Sequence, residues 1–346
     1  MKHQTTRYGE IPFYKIGTFG NTADAFISKK LFLEYKTKYS FPKKGDILIS
    51  ASGTIGRAVI YDGKPAYFQD SNIVWIDNDE TLVKNDFLFY AYSHVKWNTE
   101  HTTILRLYND NFRNTLIPLP PLNEQIAIAN ILSALDRYLC ALDALILKKE
   151  GVKKALSFEL LSQRKRLKGF NQAWQRVRLG DIANYLTSNL SAEQITQQGK
   201  IKVYDVNNFI GYTDTTFISD KPYISIVKDG SVGRVRILPP KTNILSTMGA
   251  LIANHRTTTE FLFYLLSNFD FKNFTSGSII PHIYFKDYKE KTIFLPPLNE
   301  QIAIANVLSG LDNEIISLKN KKRQFENIKK ALNHDLMSAK IRVLKK

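Results

Sequence analysis

Along residues 124–167, apolar side chains recur at alternating steps of three and four: Leu132, Leu135, Leu139, Leu142, Ile146, Leu156 and Leu160. Polar residues fill most of the intervals, and this spacing is the seam of a coiled coil. A second run carries the same signature at Leu308, Leu311, Ile315, Leu318, Phe325, Ile328, Leu332 and Leu336. Neither run contains proline, so each predicts one helix of about 44 residues, about 65 Å long at 1.5 Å per residue. Asn123 and Asn299 stand where N-caps belong, Glu124 and Glu300 favour the positive helix end, and Arg164-Lys165-Arg166 and Lys345-Lys346 favour the negative one.

The intervening stretches have a different texture. Short β-branched and aromatic runs such as 46–50, 58–61 and 235–238 are punctuated by Gly, Asn, Asp and Pro, as in mixed α/β domains with several short strands. One further helix is expected in each, at 83–96 and 258–268. The predicted order is a globular segment (1–116), a junction and long helix (117–168), a second globular segment (169–292) and a second junction and helix (293–346).

That order is a repeat. Residues 117–136 (IPLPPLNEQIAIANILSALD) and 293–312 (IFLPPLNEQIAIANVLSGLD) match at 17 of 20 positions with a constant offset of 176. The globular segments are related but divergent. Gly53-Thr54-Ile55-Gly56-Arg57 corresponds to Gly230-Ser231-Val232-Gly233-Arg234, and Gly9–Tyr14 resembles Gly199–Tyr204. Helices that barely drift beside globular surfaces that drift a great deal suggest a fixed scaffold carrying two variable recognition heads.

The net charge of +16 changes the picture by pointing to an acidic partner, with nucleic acid foremost. Its distribution is even, at +3, +4, +4 and +5 over the four segments in order, so no basic arm stands out. If the chain binds DNA, other subunits are expected to share the phosphate contacts. No apolar run is long enough to span a bilayer, and the first residues lack a signal-peptide core, which with a single cysteine reads as a soluble protein of a reducing compartment. Cys140, the single cysteine, sits among leucines and alanine and reads as a buried apolar filler.

Catalytic chemistry is not apparent. The six histidines show no metal-ligand spacing, and one cysteine supplies no zinc cluster. No phosphate-binding glycine loop precedes a helix, so GTIGR and GSVGR read as tight turns between strands. Glu34-Tyr35-Lys36 is an isolated tripeptide of the nuclease type. Leu119-Pro120-Pro121-Leu122 lacks the polar first residue and the aromatic that an adenine methyltransferase loop requires.

The doubled LPPLNEQ junction with its doubled helix, together with K-G-D-x-L-I-S…G-x-x-G at 44–56, resembles the DNA-specificity subunits of type I restriction-modification systems over nearly the whole chain. The resemblance implies an α+β fold in which two mixed α/β target recognition domains are separated by two long antiparallel coiled-coil helices in a pseudo-twofold arrangement. It implies no active site and no metal. The partners would be double-stranded DNA, read as a bipartite asymmetric site, two modification (methyltransferase) subunits and the restriction (translocase/nuclease) subunits. S-adenosylmethionine, ATP and Mg²⁺ would belong to those subunits. One departure stands out. The second half opens with Trp174-Gln175-Arg176-Val177-Arg178-Leu179-Gly180-Asp181-Ile182, whereas the first enters directly at Gly9, about 25 residues shorter. Either the chain starts late or the first head has a shorter core.

Candidate DNA contacts are Arg57 and Arg234 beside the glycine turns, with Gln69, Asn72, Lys228, Asn243 and His282 in loop-like stretches. Surface salt bridges are the other reading of the two arginines. Asn123, Glu124, Gln125, Asn299, Glu300 and Gln301 either cap the helices or form polar junctions that brace head against helix or meet the methyltransferase. The opposing reading is a coiled-coil assembly protein with protein-binding heads, and salt-dependent DNA binding separates the two.

Overall fold

The structure, a computed structural model, describes residues 4–68, 72–97 and 106–344. The chain forms two compact units, 1–143 with 320–346 and 144–319, so each takes part of both long helices.

In the first unit, β1 (Ile11–Tyr14) pairs antiparallel with β2 (Ala25–Ile27), and α1 (Lys29–Lys38) follows. The antiparallel strands β3 (Ile47–Ser50) and β4 (Ala58–Ile60) come next. Strand β5 (Tyr67–Phe68) lies parallel to β1, and β6 (Ile73–Trp75) lies antiparallel to β3, giving sheets β2-β1-β5 and β4-β3-β6. Helices α2 (Asn85–His94) and α3 (Asn109–Arg113) lead to the long α4 (Leu122–Leu161). Sequence periodicity predicted only α2 here. The extra helix α1 forms because Ser28 Oγ accepts the Leu31 N–H, while Phe32 and Tyr35 turn inward onto β1 and β5.

The second unit opens with β7 (Gln175–Arg178) and β8 (Ala183–Thr187). It continues with β9 (Ile201–Tyr204), β10 (Phe209–Thr213), β11 (Tyr223–Val227), β12 (Val235–Leu238), β13 (Thr242–Ile244) and β14 (Met248–Ala253). After α5 (Thr259–Ser267), β15 (Thr275–Ser276), β16 (His282–Ile283), α6 (Phe285–Tyr288) and β17 (Thr292–Leu295) precede the long α7 (Leu298–Met337). The sheets are β10-β9-β13, β12-β11-β14-β8, β15-β16 and β17-β7. The order β9 to β14 and α5 repeats the order β1 to β6 and α2, apart from α1. Strands β7 and β8 have no counterpart among the described residues of the first unit.

The two long helices are antiparallel within each unit. In the first, Asp136 meets Lys329 and Asp143 meets Lys322; in the second, Lys149 meets Glu314 and Lys153 meets Asp312, so one partner's number falls as the other's rises. The apolar seam is used twice in the same way. Ile128, Ala129 and Leu132 bury against Phe87, Tyr90 and Ala91 of α2 and against Leu336 and Met337. Their counterparts Ile304, Ala305 and Leu308 bury against Phe261, Tyr264 and Leu265 of α5 and against Leu160. Leu142 and Ile315 are buried, and Leu135, Leu139, Leu311 and Leu318 half-buried, as a seam requires. Two expectations fail. Ile328 is exposed on the outer face of α7, and Cys140 is exposed rather than a core filler.

Both helices also end earlier than the periodicity predicts. Gln163 and Ala339 adopt positive φ (62° and 55°), which stops the helical path, and Arg164–Arg166 therefore lies beyond the helix instead of facing its dipole.

Candidate nucleic-acid interface and helix junctions

The glycine motifs are tight hairpin turns, as their sequence suggests. Gly53-Thr54-Ile55-Gly56 joins β3 to β4, and Gly230-Ser231-Val232-Gly233 joins β11 to β12. All four glycines have positive φ, between 68° and 82°. The second glycine of each turn also has an aromatic ring against it: a Cβ would lie 2.3 Å from the Trp97 indole at Gly56 and 2.6 Å from the Phe271 ring at Gly233. Each turn is therefore pinned from behind, and each presents one exposed arginine, Arg57 or Arg234, at its exit. Beside these turns a backbone bridge joins Ser52 to Arg106 in the first unit and Asp229 to His282 in the second.

The remaining candidates fall into three groups. Asn72 and His282 lie next to the turns and are already engaged: Asn72 Oδ1 accepts from the Ser52 hydroxyl at 2.9 Å, and His282 Nδ1 lies 2.6 Å from Asp229 Oδ1. Lys228 is half-buried beside them, its carbonyl accepting the Ile283 N–H. Gln69 lies outside the described residues. Asn243 lies in β13 rather than in a loop: it is buried, its Nδ2 donates to the Thr216 carbonyl at 2.6 Å and its Oδ1 accepts the Ile244 N–H at 2.8 Å.

At the junctions, Asn123 and Asn299 are not the caps. The carbonyls of Pro121 and Pro297 accept the first helical N–H groups, and each asparagine sits inside the first turn, accepting its neighbour's N–H at 2.9 Å. Gln125 and Gln301 are buried. Gln125 Nε2 donates to the carbonyls of Leu82 (3.0 Å) and Pro120 (2.8 Å), while its Oε1 accepts the Lys84 N–H (2.8 Å) at the start of α2. Gln301 makes the equivalent set. It donates to Arg256 (2.9 Å) and Pro296 (2.8 Å) and accepts from the Thr257 hydroxyl (2.8 Å) and Thr258 N–H (3.3 Å) at the start of α5. One side chain thus closes the backbone groups left over at two chain ends, which locks α2 to α4 and α5 to α7.

Glu124 and Glu300, in the first turn of their helices, are almost fully buried, 3% and 0% exposed. Each is taken by an arginine from beyond the far end of the other long helix. Arg342 forks onto Glu124, with Nε 3.1 Å from both carboxylate oxygens. Arg166 forks onto Glu300 at 3.1 and 2.6 Å, and the Trp174 indole N–H adds a third bond at 3.0 Å. The Arg342 guanidinium holds the Glu124 carboxyl below the usual range. These pairings were missed in the sequence, which placed Arg166 at the helix dipole, although the signal was there: Arg166 and Arg342 repeat at the same offset of 176 as the glutamates. Among the described residues, no group of three or more His, Cys, Asp or Glu could hold a metal ion, and no helix is long and apolar enough to cross a membrane.

Comparison with known proteins agrees with this duplicated build. The sequence profile of the type I restriction modification DNA specificity domain matches residues 1–149 and again 171–327. A 137-residue stretch is 63% identical to a putative type I restriction enzyme specificity subunit of Haemophilus influenzae; it spans 39% of this chain and only 36% of that one. The putative MjaX specificity subunit of Methanocaldococcus jannaschii is 28% identical over 335 residues, covering 86% of this chain and 79% of its own. The crystal structure of the type I restriction-modification S subunit from M. genitalium shares the fold, with a TM-score of 0.63 at 20% identity over 97% of this chain and 91% of that one. The chain belongs to the type I restriction-modification DNA specificity family, with two target recognition domains and no active site of its own.

Proposed function

We propose that the chain selects a bipartite, asymmetric DNA sequence, each recognition domain reading one half-site, and positions two N6-adenine methyltransferase subunits and the restriction subunits on it. The observation that carries this reading is the duplicated hairpin turn with its exposed arginine, Arg57 or Arg234, built on two units whose other surfaces differ. An arginine at a rigid turn can meet a phosphate or a base edge, and the surrounding divergent loops supply sequence readout. The junction glutamines fasten each recognition domain to its share of the helix pair, so readout is coupled to a constant surface on which methyltransferase subunits dock.

Replacing residues 170–292 with the corresponding segment of another such subunit tests it. The junctions and seams stay intact, so the complex should still assemble, and only one half of the methylated sequence should change on methylome sequencing. Both half-sites changing together, or loss of the methyltransferase partner, would sink the two-head reading. Lengthening the helices between the junctions should alter the spacer and leave both half-sites intact.

A further inference from the structure

At the tip of the β15–β16 hairpin, two β-branched aliphatic side chains stand in solvent. Ile279 is 93% exposed and Ile280 55%. One exposed isoleucine is ordinary on a protein surface, but two in succession at a loop tip bury so little that the fold gains almost nothing from them. The strands pair Thr275 with Ile283 and Ser276 with His282, which leaves residues 277–281 as the loop. Gly277 has a φ of 91°, and a Cβ there would run into the Ile280 carbonyl oxygen, so the loop folds back tightly. Pro281 disfavours helical backbone at Ile280.

The tip is braced against the arginine-bearing turn of the same unit. The Gly230 N–H donates to the Pro281 carbonyl at 2.9 Å, and the Ile283 N–H donates to the Lys228 carbonyl at 2.9 Å. His282 Nδ1 lies 2.6 Å from Asp229 Oδ1. At the base of the hairpin Ile283 is buried in the core, and Phe271, ahead of β15, supplies the ring behind Gly233. One braced piece therefore carries both the isoleucine pair and Arg234.

That piece is basic. Residues 271–286 contain Lys272 and Lys286 and neither Asp nor Glu, while residues 228–236 add Lys228, Arg234 and Arg236. The one acid of the second stretch, Asp229, faces His282. An apolar tip set among cations suits a polyanion with an apolar interior, and stacked bases between two phosphate strands are such a structure. An apolar pocket on a protein would need the isoleucines but not the charge around them.

We propose that Ile279 and Ile280 form a wedge that enters the minor groove in the half-site read by the second unit and partly unstacks one base step, while Arg234 meets a phosphate alongside. This rests on the DNA-reading role proposed above and adds a deformation to it. Discrimination then comes also from how readily a step opens, and not from base-edge contacts alone. Pyrimidine–purine steps open most readily, so one is expected where the wedge enters.

The test uses the full chain assembled with its methyltransferase subunits, and a duplex carrying the sequence that methylome sequencing identifies, with a donor and an acceptor dye at its ends. Energy transfer should report a bend on binding, and Ile279→Ser with Ile280→Ser should straighten the bound duplex by about 20° or more. The same double variant should bind about tenfold more weakly, with the slope of log K against log salt unchanged because no charge is lost. Its melting temperature should not move, and Ile279→Leu with Ile280→Leu should retain both bend and affinity. Salt-dependent binding to the site with a bend indifferent to the serine variant overturns the wedge and leaves the DNA reading standing. Absence of salt-dependent DNA binding by the parent complex removes both. A serine variant that no longer joins the methyltransferase subunits would assign the tip to a protein contact and overturn the proposal as well.

Discussion

The Tyr90 hydroxyl donates to Asp136 Oδ2 at 2.7 Å, tying the recognition-domain helix α2 to the long helix α4. Tyr264 and Asp312 repeat the bond at 2.8 Å in the second unit. Each aspartate also holds a lysine of the opposing long helix, Lys329 or Lys153. Burial, reinforced by the aspartate, pushes both phenols well above their ordinary pKa, so they remain donors throughout the physiological range. Three elements thus converge on one carboxylate in each unit.

Tyr90→Phe and Tyr264→Phe should each cost about 1.5–3 kcal/mol, the usual worth of a hydrogen bond to a charged group. Native-state hydrogen exchange should report the loss in α2 for the first and in α5 for the second. Equal loss in both units from either change would show that the bond is not local.

Gln125→Leu keeps the volume but orphans the Lys84 N–H and the carbonyls of Leu82 and Pro120, all part-buried. Leaving buried polar groups unpaired costs about 1–3 kcal/mol each, so the variant should lose more than Tyr90→Phe in chemical denaturation. Gln125→Glu retains the acceptor and sets a carboxylate against two carbonyls, and should be no better. A variant as stable as the parent would mean that water replaces the amide.

What was legible in the chain follows the range of the interaction. The seam leucines and glycine turns are local patterns with local causes, and they were readable from spacing alone. Ile328 obeys the same spacing yet is exposed, because three-four periodicity marks a stripe without saying which turns are covered. Glu124 looked like a helix-dipole residue, since its partner Arg342 is 218 positions away. Asn243 looked like a loop residue in a polar stretch, but its short side chain serves its own strand. Helix α1 hid in a half-charged run whose two buried aromatics are three apart.

His94 should set an acid-side slope in the stability of the first unit. Burial lowers its pKa first, and the positive charge of His334, 5.1 Å away ring to ring, and of Lys96 lowers it further. The folded value is below the unfolded value of about 6.5. Above that value both states are neutral and nothing is lost; as pH falls below it, the unfolded chain takes the proton first and stability drops until the folded pKa is passed. His94→Phe keeps the ring and should flatten the slope that begins as pH falls through the unfolded value of about 6.5. An unchanged slope would assign it elsewhere.

Leu142→Asp should destabilise the helix pair severely, by about 4 kcal/mol or more, since it buries a carboxylate in the seam. Ile328→Asp, at a position of the same periodicity but exposed, should stay within about 0.5 kcal/mol. Circular dichroism melting of the two variants distinguishes a real seam from a mere pattern.

The turn arginines make the sharpest functional test. Arg57 and Arg234 sit at the exits of equivalent rigid hairpins, each backed by an aromatic ring, so replacing either should leave its turn intact. If each meets a DNA phosphate, Arg57→Ala and Arg234→Ala should each reduce the slope of log K against log salt by about 0.9 and weaken all sequences alike. The double variant should lose about twice that, because the two contacts belong to separate units and separate, distant charge contacts add. A base contact behaves differently: discrimination at one position of one half-site would relax, with a cost of about 1–3 kcal/mol against the correct base. Measuring binding by the assembled complex at several salt concentrations, on the cognate site and on single-position variants, separates the two. Slopes and specificity both unchanged would remove these turns from the interface and leave the DNA surface on the divergent loops alone.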